Sequence, residues 1–176
     1  MTDSFSTVLA VSVLDEPKET VEKLEAHRKG ILHRAFSVFL TDGNGNMLIQ
    51  KRAAGKYHSG GLWSNACCSH PTADDITAQA NERLFQELGI RTELKEIDSF
   101  IYRCVFPDGL IEYEYDHILI GEISSNEKIS LNPEEAEEIR FISLEELKIQ
   151  LEQRPEIFSV WFITAAPKVI HYLEKC

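Results

Sequence analysis

Residues 73–90, Ala-Asp-Asp-Ile-Thr-Ala-Gln-Ala-Asn-Glu-Arg-Leu-Phe-Gln-Glu-Leu-Gly-Ile, carry the clearest helical pattern in the sequence. Apolar side chains recur there at four-residue steps, at Ile76, Ala80, Leu84 and Leu88. Asp74 or Asp75 can cap the start of the helix, and Gly89 is placed to end it. The sequence therefore predicts an amphipathic helix over residues 73–88.

Runs rich in β-branched and aromatic residues lie on both sides of this helix. Residues 35–41 and 47–51 flank Asp-Gly-Asn-Gly-Asn, a pattern that predicts a β-hairpin. Residues 92–105 and 110–123 flank Phe-Pro-Asp-Gly, which predicts a second hairpin. Further strands are predicted at 7–14 and 138–142.

Three further helical segments are predicted: residues 20–26, a helix from the capping pattern Ser-Leu-Glu-Glu at 143–146 to residue 152, and a last one from Pro155 towards residue 173. Residues 56–71 are rich in Gly and Ser without a clear period, so we expect a long functional loop. Strands and helices mix without a regular strand–helix–strand rhythm. We predict one α+β domain over residues 1–176, with a mixed or largely antiparallel sheet.

Composition restricts the classes of function. The 176 residues include 29 acidic and 18 basic side chains, a net charge of -11 that argues against a nucleic-acid surface. No apolar run approaches the ~20 residues that span a bilayer, and the first ten residues do not resemble a secretory signal. The four cysteines form no spaced disulfide framework. We expect a cytoplasmic protein with no membrane, nucleic-acid or obligatory protein partner.

Histidines and carboxylates provide the first candidate site. Glu112 and Glu114 are two residues apart on a predicted strand, so both project from one face, and a cation would relieve their repulsion. With His27, His33 and His70 they would form a five-ligand site for Mg, Mn or Zn. The alternative is an exposed glutamate pair with scattered surface histidines.

Cysteine and basic residues provide further candidates. Cys68 lies two residues before His70, a spacing that suits metal ligation or acid/base chemistry, although buried inert cysteines are the alternative. Arg83 and Glu87 are one helical turn apart and would form either a surface ion pair or a site for phosphate and its Mg.

Four motifs occur in a fixed order: His-Arg-Ala-Phe-Ser at 33–37, Trp-Ser-Asn-Ala-Cys-Cys-Ser-His-Pro at 63–71, Glu-Leu-Gly at 87–89 and Glu-Tyr-Glu at 112–114. Together they closely resemble the type I isopentenyl-diphosphate isomerases of the Nudix-fold superfamily, from about residue 11 to residue 161. The resemblance implies an α/β/α Nudix sandwich with added N-terminal elements. It also implies reversible conversion of isopentenyl diphosphate to dimethylallyl diphosphate.

The resemblance also implies roles for individual residues. Cys68 and Glu114 match the catalytic acid/base pair. The implied site for a divalent metal (Mg, Mn or Zn) consists of His27, His33, His70, Glu112 and Glu114. Glu87 matches the ligand of the Mg that arrives with the substrate diphosphate. The implied substrate contacts are Arg52, Lys56 and Arg83 at the diphosphate, and Tyr102 and Trp161 in the pocket.

The Nudix signature G-x5-E-x7-R-E-U-x-E-E-x-G-U, with U aliphatic, fits only in part. With Ile90 as its last position, Glu82 and Arg83 stand where Arg-Glu is expected, while Glu87 and Gly89 are retained. Most carboxylates that a Nudix hydrolase uses to gather Mg are missing. The resemblance therefore favours an isomerase, with a pyrophosphohydrolase acting on a small diphosphate as the alternative.

Overall fold

A mixed nine-stranded sheet forms the centre of the part of the chain that the computed structural model describes, residues 6–56 and 58–175. Its strands are β1 Thr7–Val11, β2 Pro17–Glu22, β3 His33–Thr41, β4 Asn46–Arg52, β5 Trp63–Ser64, β6 Cys67–Ser69, β7 Lys95–Val105, β8 Ile111–Glu122 and β9 Ala136–Ser143. The helices are α1 Lys23–Lys29, α2 Ile76–Leu88, α3 Leu144–Gln153 and α4 Val160–Lys175. The N-terminal five residues and Cys176 lie outside the described residues.

Strand β3 organises the sheet because it pairs along both edges. It runs parallel to β8 from His33↔Glu114 to Thr41↔Glu122, and antiparallel to β6 at Ser37↔Cys68. All nine residues of β3 are buried. Burial of both faces explains why five of the six residues at 35–40 are apolar, as is typical of central strands.

Two helical layers cover the sheet. Helix α2 packs on one face through Ala80, Leu84 and Leu88, against a cluster that includes Phe36 and Leu119. Helices α3 and α4 cover the opposite face, where side chains such as Phe39, Ile118, Leu147 and Phe162 meet. The predicted α+β class and its α/β/α sandwich are confirmed.

Local signals fix the ends of the helices. Asp75 caps α2 by accepting a hydrogen bond from the backbone N–H of Ala78 (2.9 Å), and Gly89 ends that helix at φ 70°. A Cβ at Gly89 would lie 2.9 Å from the Cβ of Ser130, so glycine is also required for packing. Ser143 caps α3 through the N–H of Glu146, as its capping pattern predicts.

The two predicted hairpins are present, but β3 and β4 pair only at Leu40↔Leu48 and Thr41↔Met47 before they diverge. Beyond that point β4 pairs with β5 at Gln50↔Ser64 and Lys51↔Trp63, while its other edge pairs with β9 from Asn46 to Arg52. This divergence leaves room for β6 beside β3. It also separates the start of β3 from the end of β4. The chain that follows β4 folds back between them.

Three predictions of secondary structure are wrong in part. Residues 56–71 are not wholly a loop, because they contain β5 and β6, and Ala66 and Cys67 are fully buried. Residues 20–22 belong to strand β2, which pairs with β1, so the first helix starts later and carries His27. The last helical segment is divided into a 3-10 turn at Pro155–Ile157 and α4, since Phe158 is extended.

None of the helices within the described ranges combines the length and the apolar character needed to cross a bilayer.

Candidate active site

A cavity of about 820 Å³ opens on the α4 side of the sheet, beside β3, β6 and β8. All of the predicted site residues except His33, which is fully buried, contribute to its wall: His27, Arg52, Lys56, Cys68, His70, Arg83, Glu87, Tyr102, Glu112, Glu114 and Trp161. Residues far apart in the sequence, from α1 to α4, therefore meet at one place.

The register of strands β7, β8 and β3 places Tyr102, Glu114 and His33 in one row across the sheet. Tyr102 on β7 pairs with Glu114 on β8, and Glu114 pairs with His33 on β3. Glu112 and Glu114 are 3% and 6% exposed, so the alternative of an exposed glutamate pair is excluded. The three residues of this row point to the same face of the sheet because paired residues in neighbouring strands do so.

Three histidine rings and Glu114 form a cluster. The ring centroid of His33 lies 5.0 Å from that of His27 and 5.0 Å from that of His70. One ligand atom from each of His27, His33, His70 and Glu114 lies within 4.8 Å of the others. Three imidazoles and a carboxylate are a donor set suited to Zn or Mn, and also to Mg through the carboxylate.

The backbone fixes two of the rings. His27 Nδ1 lies 2.6 Å from the carbonyl oxygen of Lys23, and His33 Nδ1 lies 2.8 Å from that of Ile31. Each Nδ1 therefore carries the proton and donates it, which leaves Nε2 as the ligating atom. Buried His33 Nε2 has no hydrogen-bond partner within residues 6–56 and 58–175, a feature that fits a metal ligand.

The electrostatics of the cluster also suit a cation. Burial raises the pKa of Glu114, but the neighbouring imidazoles of His33 and His70 outweigh it and hold that pKa well below its usual range. Burial lowers the pKa of His70 to about 4, so its ring is neutral at pH 7. Burial also lowers the pKa of His27. Burial opposes the charge on His33 too, but its hydrogen bond to Glu114 and the charge of that carboxylate outweigh burial and raise the pKa of His33. Metal binding requires an ionised carboxylate and neutral imidazoles, so a bound cation would displace any proton on His33 Nε2.

Glu112 lies beside this cluster, but its oxygens have other partners. Oε1 lies 2.7 Å from Nε2 of His58, and Oε2 accepts a 2.6 Å hydrogen bond from the hydroxyl of Tyr102. The same hydroxyl lies 2.6 Å from Glu114, so two carboxylates share one phenolic proton. The structure thus brings four of the five predicted metal ligands together. The role of Glu112 as a fifth ligand stays a prediction.

The alternation of β6 separates the two adjacent cysteines. Cys67 is fully buried in the cluster under α2, whereas Cys68 faces the cavity. Successive residues of a strand point to opposite faces, so only one of the two thiols can reach the site. Burial and, to a smaller extent, the nearby Asp116 carboxyl raise the pKa of Cys68. The thiol is therefore protonated at neutral pH.

Polar neighbours of Cys68 were missed by the sequence analysis. Ser37 Oγ lies 3.5 Å from Sγ and donates a 2.7 Å hydrogen bond to Asp116, and both atoms of the Asn65 amide group contact Sγ. The two-residue period of a strand could have predicted Ser37 and Asp116. Ser37 lies on the same face of β3 as His33, and Asp116 lies on the same face of β8 as Glu114. Asn65 lies within the quoted motif at 63–71, but the sequence gives it no role, because its contacts depend on tertiary packing.

Basic residues lie at another part of the cavity wall. Arg83 Nε lies 2.7 Å from Glu87, and Arg83 Nη2 lies 3.0 Å from Glu135. Lys56 forms an ion pair with the same Glu135, which the sequence analysis missed. Glu87 is buried and also accepts a 3.3 Å hydrogen bond from Gln50, so Arg83–Glu87 is not a surface ion pair.

Trp161 contacts both the basic residues of the cavity wall and the residues around Cys68. The guanidinium carbon of Arg52 lies 5.0 Å from the centroid of the indole, which is cation–π geometry. The indole N–H donates a 3.1 Å hydrogen bond to Asn65. Trp161 is therefore part of the core and of the cavity wall at once.

Comparison with known proteins identifies the family. The Nudix domain profile matches residues 31–162. Isopentenyl-diphosphate Delta-isomerase 2 of Aromatoleum aromaticum is 43% identical over 93% of this chain and 86% of its own length. The corresponding protein of Photorhabdus laumondii is 44% identical over 84% and 83%. The chain belongs to the isopentenyl-diphosphate Delta-isomerases. An isomerase of Pectobacterium atrosepticum is 39% identical over 96% of this chain and 93% of its own length, so the family relation spans the described cavity.

Solved structures support the fold of this isomerase. A MutT protein from Methanosarcina mazei Go1 has a TM-score of 0.63 at 12% identity, covering 82% of this chain and 96% of its own. The M. smegmatis Nudix hydrolase RenU has a TM-score of 0.58 at 15% identity, covering 97% and 95%. At these identities the likeness concerns the fold alone, and the chemistry depends on the residues of the cavity.

We expect His33→Ala and His70→Ala to weaken Mn²⁺ or Zn²⁺ binding by more than about 10-fold, since losing even an outer-shell partner costs about 10- to 100-fold. Glu112→Gln should have a smaller effect, because its oxygens already bond His58 and Tyr102. Calorimetric titration of chelator-treated protein measures these affinities. His171→Ala, on an exposed position of α4, is the control. Wild-type affinity in His33→Ala would exclude His33 as a ligand.

Proposed function

We propose that this protein interconverts isopentenyl diphosphate and dimethylallyl diphosphate, with Cys68 and Glu114 as the acid/base pair. The supporting observation is that one cavity contains a protonated thiol and an ionised carboxylate, with basic residues on the same wall. The names of its relatives support the same substrate. We further propose that residues 1–176 act as one domain, in the cytoplasm, on this small diphosphate.

The reaction moves a double bond by one position without oxidation or reduction. A proton added to the terminal methylene carbon creates a tertiary carbocation, and removal of a proton from C2 then completes the allylic shift. One group must donate a proton while another accepts one, which a thiol and a carboxylate of opposite protonation state can do. No redox cofactor is required.

The histidine cluster would hold a divalent ion through His27, His33, His70 and Glu114. Such an ion supplies positive charge that keeps the neighbouring carboxylates ionised. His70 itself contacts Glu114, since its Nε2 lies 2.8 Å from Oε1, and His33 Nε2 lies 3.6 Å from the same oxygen. Tyr102 holds the other oxygen of Glu114 at 2.6 Å, so the carboxylate has a fixed orientation in the cavity.

The diphosphate would bind at the basic part of the wall. Arg52, Lys56 and Arg83 offer charge-assisted hydrogen bonds to its oxygens. Glu87 offers a carboxylate to the Mg that accompanies it, since Mg typically binds through one or two carboxylates and substrate phosphates. In this proposal the hydrocarbon part of the substrate would lie near Trp161, whose π face can stabilise a carbocation by about 2 kcal/mol when desolvated.

One assay separates this activity from its rivals. The protein is incubated with isopentenyl diphosphate and Mg²⁺, and the acid-labile allylic product and released phosphate are both measured. Allylic product without phosphate supports the isomerase. Phosphate release would instead support the Nudix pyrophosphohydrolase, and metal binding with neither product would indicate a non-catalytic domain.

Cys68→Ala should lower the rate of isomerisation by about 10²- to 10⁴-fold, the usual contribution of a general acid or base. Cys67→Ala should be mild, because Cys67 lies in the core on the opposite face of β6. Rates of allylic product formation at saturating substrate measure both effects. An inactive Cys67→Ala enzyme together with an active Cys68→Ala enzyme would refute the assignment.

Arg83→Ala and Glu87→Gln should mainly weaken substrate binding. We expect the KM to rise roughly 10- to 100-fold, because a hydrogen bond to a charged group contributes about 1.5–3 kcal/mol. Glu87→Gln should also raise the Mg²⁺ concentration needed for half-maximal rate. The matched controls are Arg91→Ala and Glu82→Gln, which remove an exposed ion pair between α2 and the residues that follow it. Unchanged KM and Mg²⁺ dependence in both test variants would exclude these residues from the substrate site.

A further inference from the structure

Asn65 is a fully buried polar residue between β5 and β6, and its side chain has four partners besides Cys68. Its Nδ2 donates hydrogen bonds to the carbonyl oxygens of Val38 (3.0 Å) and Cys67 (2.8 Å). Its Oδ1 accepts from Ser64 Oγ (3.0 Å) and from the indole N–H of Trp161 (3.1 Å). The side chain is therefore held by a strand, a neighbouring hydroxyl and helix α4.

These partners determine which way the amide group points. A flipped amide would place its oxygen against two carbonyls and its NH₂ group against the N–H of Trp161, so three of the four hydrogen bonds would be lost. Losing these hydrogen bonds would leave buried polar groups without partners, which is strongly unfavourable. Asn65 consequently presents one fixed arrangement to its remaining neighbour.

That remaining neighbour is the thiol of Cys68. Sγ lies 3.1 Å from Nδ2 and 3.2 Å from Oδ1 of Asn65. Because the two carbonyls take both Nδ2 protons, the thiol proton is directed to Oδ1. The other polar contact, Ser37 Oγ, is longer at 3.5 Å, and its proton is bonded to Asp116. Asn65 is thus the nearer polar contact of the thiol.

We propose that Asn65 is a positioning residue, which orients the S–H bond of Cys68 and ties it to the indole of Trp161. The inference rests on the proposed isomerase function for its kinetic consequence. A thiol otherwise rotates freely about its Cβ–Sγ bond, whereas proton transfer to carbon requires one direction. Because Asn65 bonds to both groups, the position of the Cys68 thiol is fixed relative to the indole of Trp161.

The test compares Asn65→Ala with Ser64→Ala. Asn65→Ala should lower kcat by about 10²-fold, the cost of a small misplacement of a reacting group. KM should change by less than about two-fold, because the lost contact concerns the chemical step and not the diphosphate. Ser64→Ala should stay within about three-fold of wild-type kcat, since Trp161 and both carbonyls still hold the amide.

An infrared measurement provides a readout that is independent of turnover. The S–H stretching band of Cys68, identified by its loss in Cys68→Ser, should shift to higher frequency in Asn65→Ala, because the thiol loses its acceptor. Thermal unfolding shows whether each variant is folded. If Asn65→Ala does not fold, Asn65→Ser, which keeps one donor for a carbonyl, takes its place with the same expected results.

A folded Asn65 variant with near wild-type kcat, or with an unshifted S–H band, would overturn the proposal. If the wild-type protein does not isomerise isopentenyl diphosphate, the proposed function fails by itself. The positioning of the thiol is then decided by the infrared band alone, where a shift supports it and no shift contradicts it.

Discussion

The parallel pairing of β3 with β8 is the contact on which the site depends. These strands lie about 80 residues apart in the sequence, and their register places His33 opposite Glu114 and Ala35 opposite Asp116. A slip of one residue would turn the carboxylates of β8 towards α2 and bring tyrosines to the cavity, since side chains alternate between faces. Burial of β3 on both faces fixes that register.

Because side chains alternate along the paired strands, the two faces of the sheet have different roles. On the α2 face, Cys67 and Leu84 are packed as core. On the α4 face, the residues of the central strands include small or polar side chains, so the sheet leaves a cavity there. His27 reaches it from α1, Cys68 from β6 and Trp161 from α4. A protonated thiol and an ionised carboxylate can coexist in this space because their neighbours differ: a buried carboxyl near Cys68 and imidazoles around Glu114.

The parts of the fold that depend on local signals were predictable. The period and caps of α2, the capping pattern at Ser143 and the turn residues of both hairpins lie within a few residues of the structure they determine. The common face of Glu112 and Glu114 also follows from the two-residue period of a strand. Strand β6 was not predictable in this way, because three residues cannot show a period. Strand β2 is mostly exposed and polar, and β1 provides its pairing.

The same distinction applies to the site. Motif resemblance pointed to residues that carry charge or a reactive group, and the structure brings most of them together. It assigned no role to the side chains that hold them, such as His58 at Glu112, Glu135 between Lys56 and Arg83, or Asn65 at Cys68. Each of these contacts joins segments that meet only after the sheet has formed, except that of Asn65, which depends on the bend between β5 and β6.

The most direct test of the account is nuclear magnetic resonance of isopentenyl diphosphate in deuterated water with saturating divalent metal. Wild-type protein should form dimethylallyl diphosphate that carries deuterium from solvent, because both proton transfers pass through exchangeable groups. Glu114→Gln keeps the shape of the side chain but lacks the ionisable group, so it should lose both turnover and deuterium incorporation. Full activity and labelling in Glu114→Gln would contradict the claim that Glu114 acts with Cys68 in proton transfer.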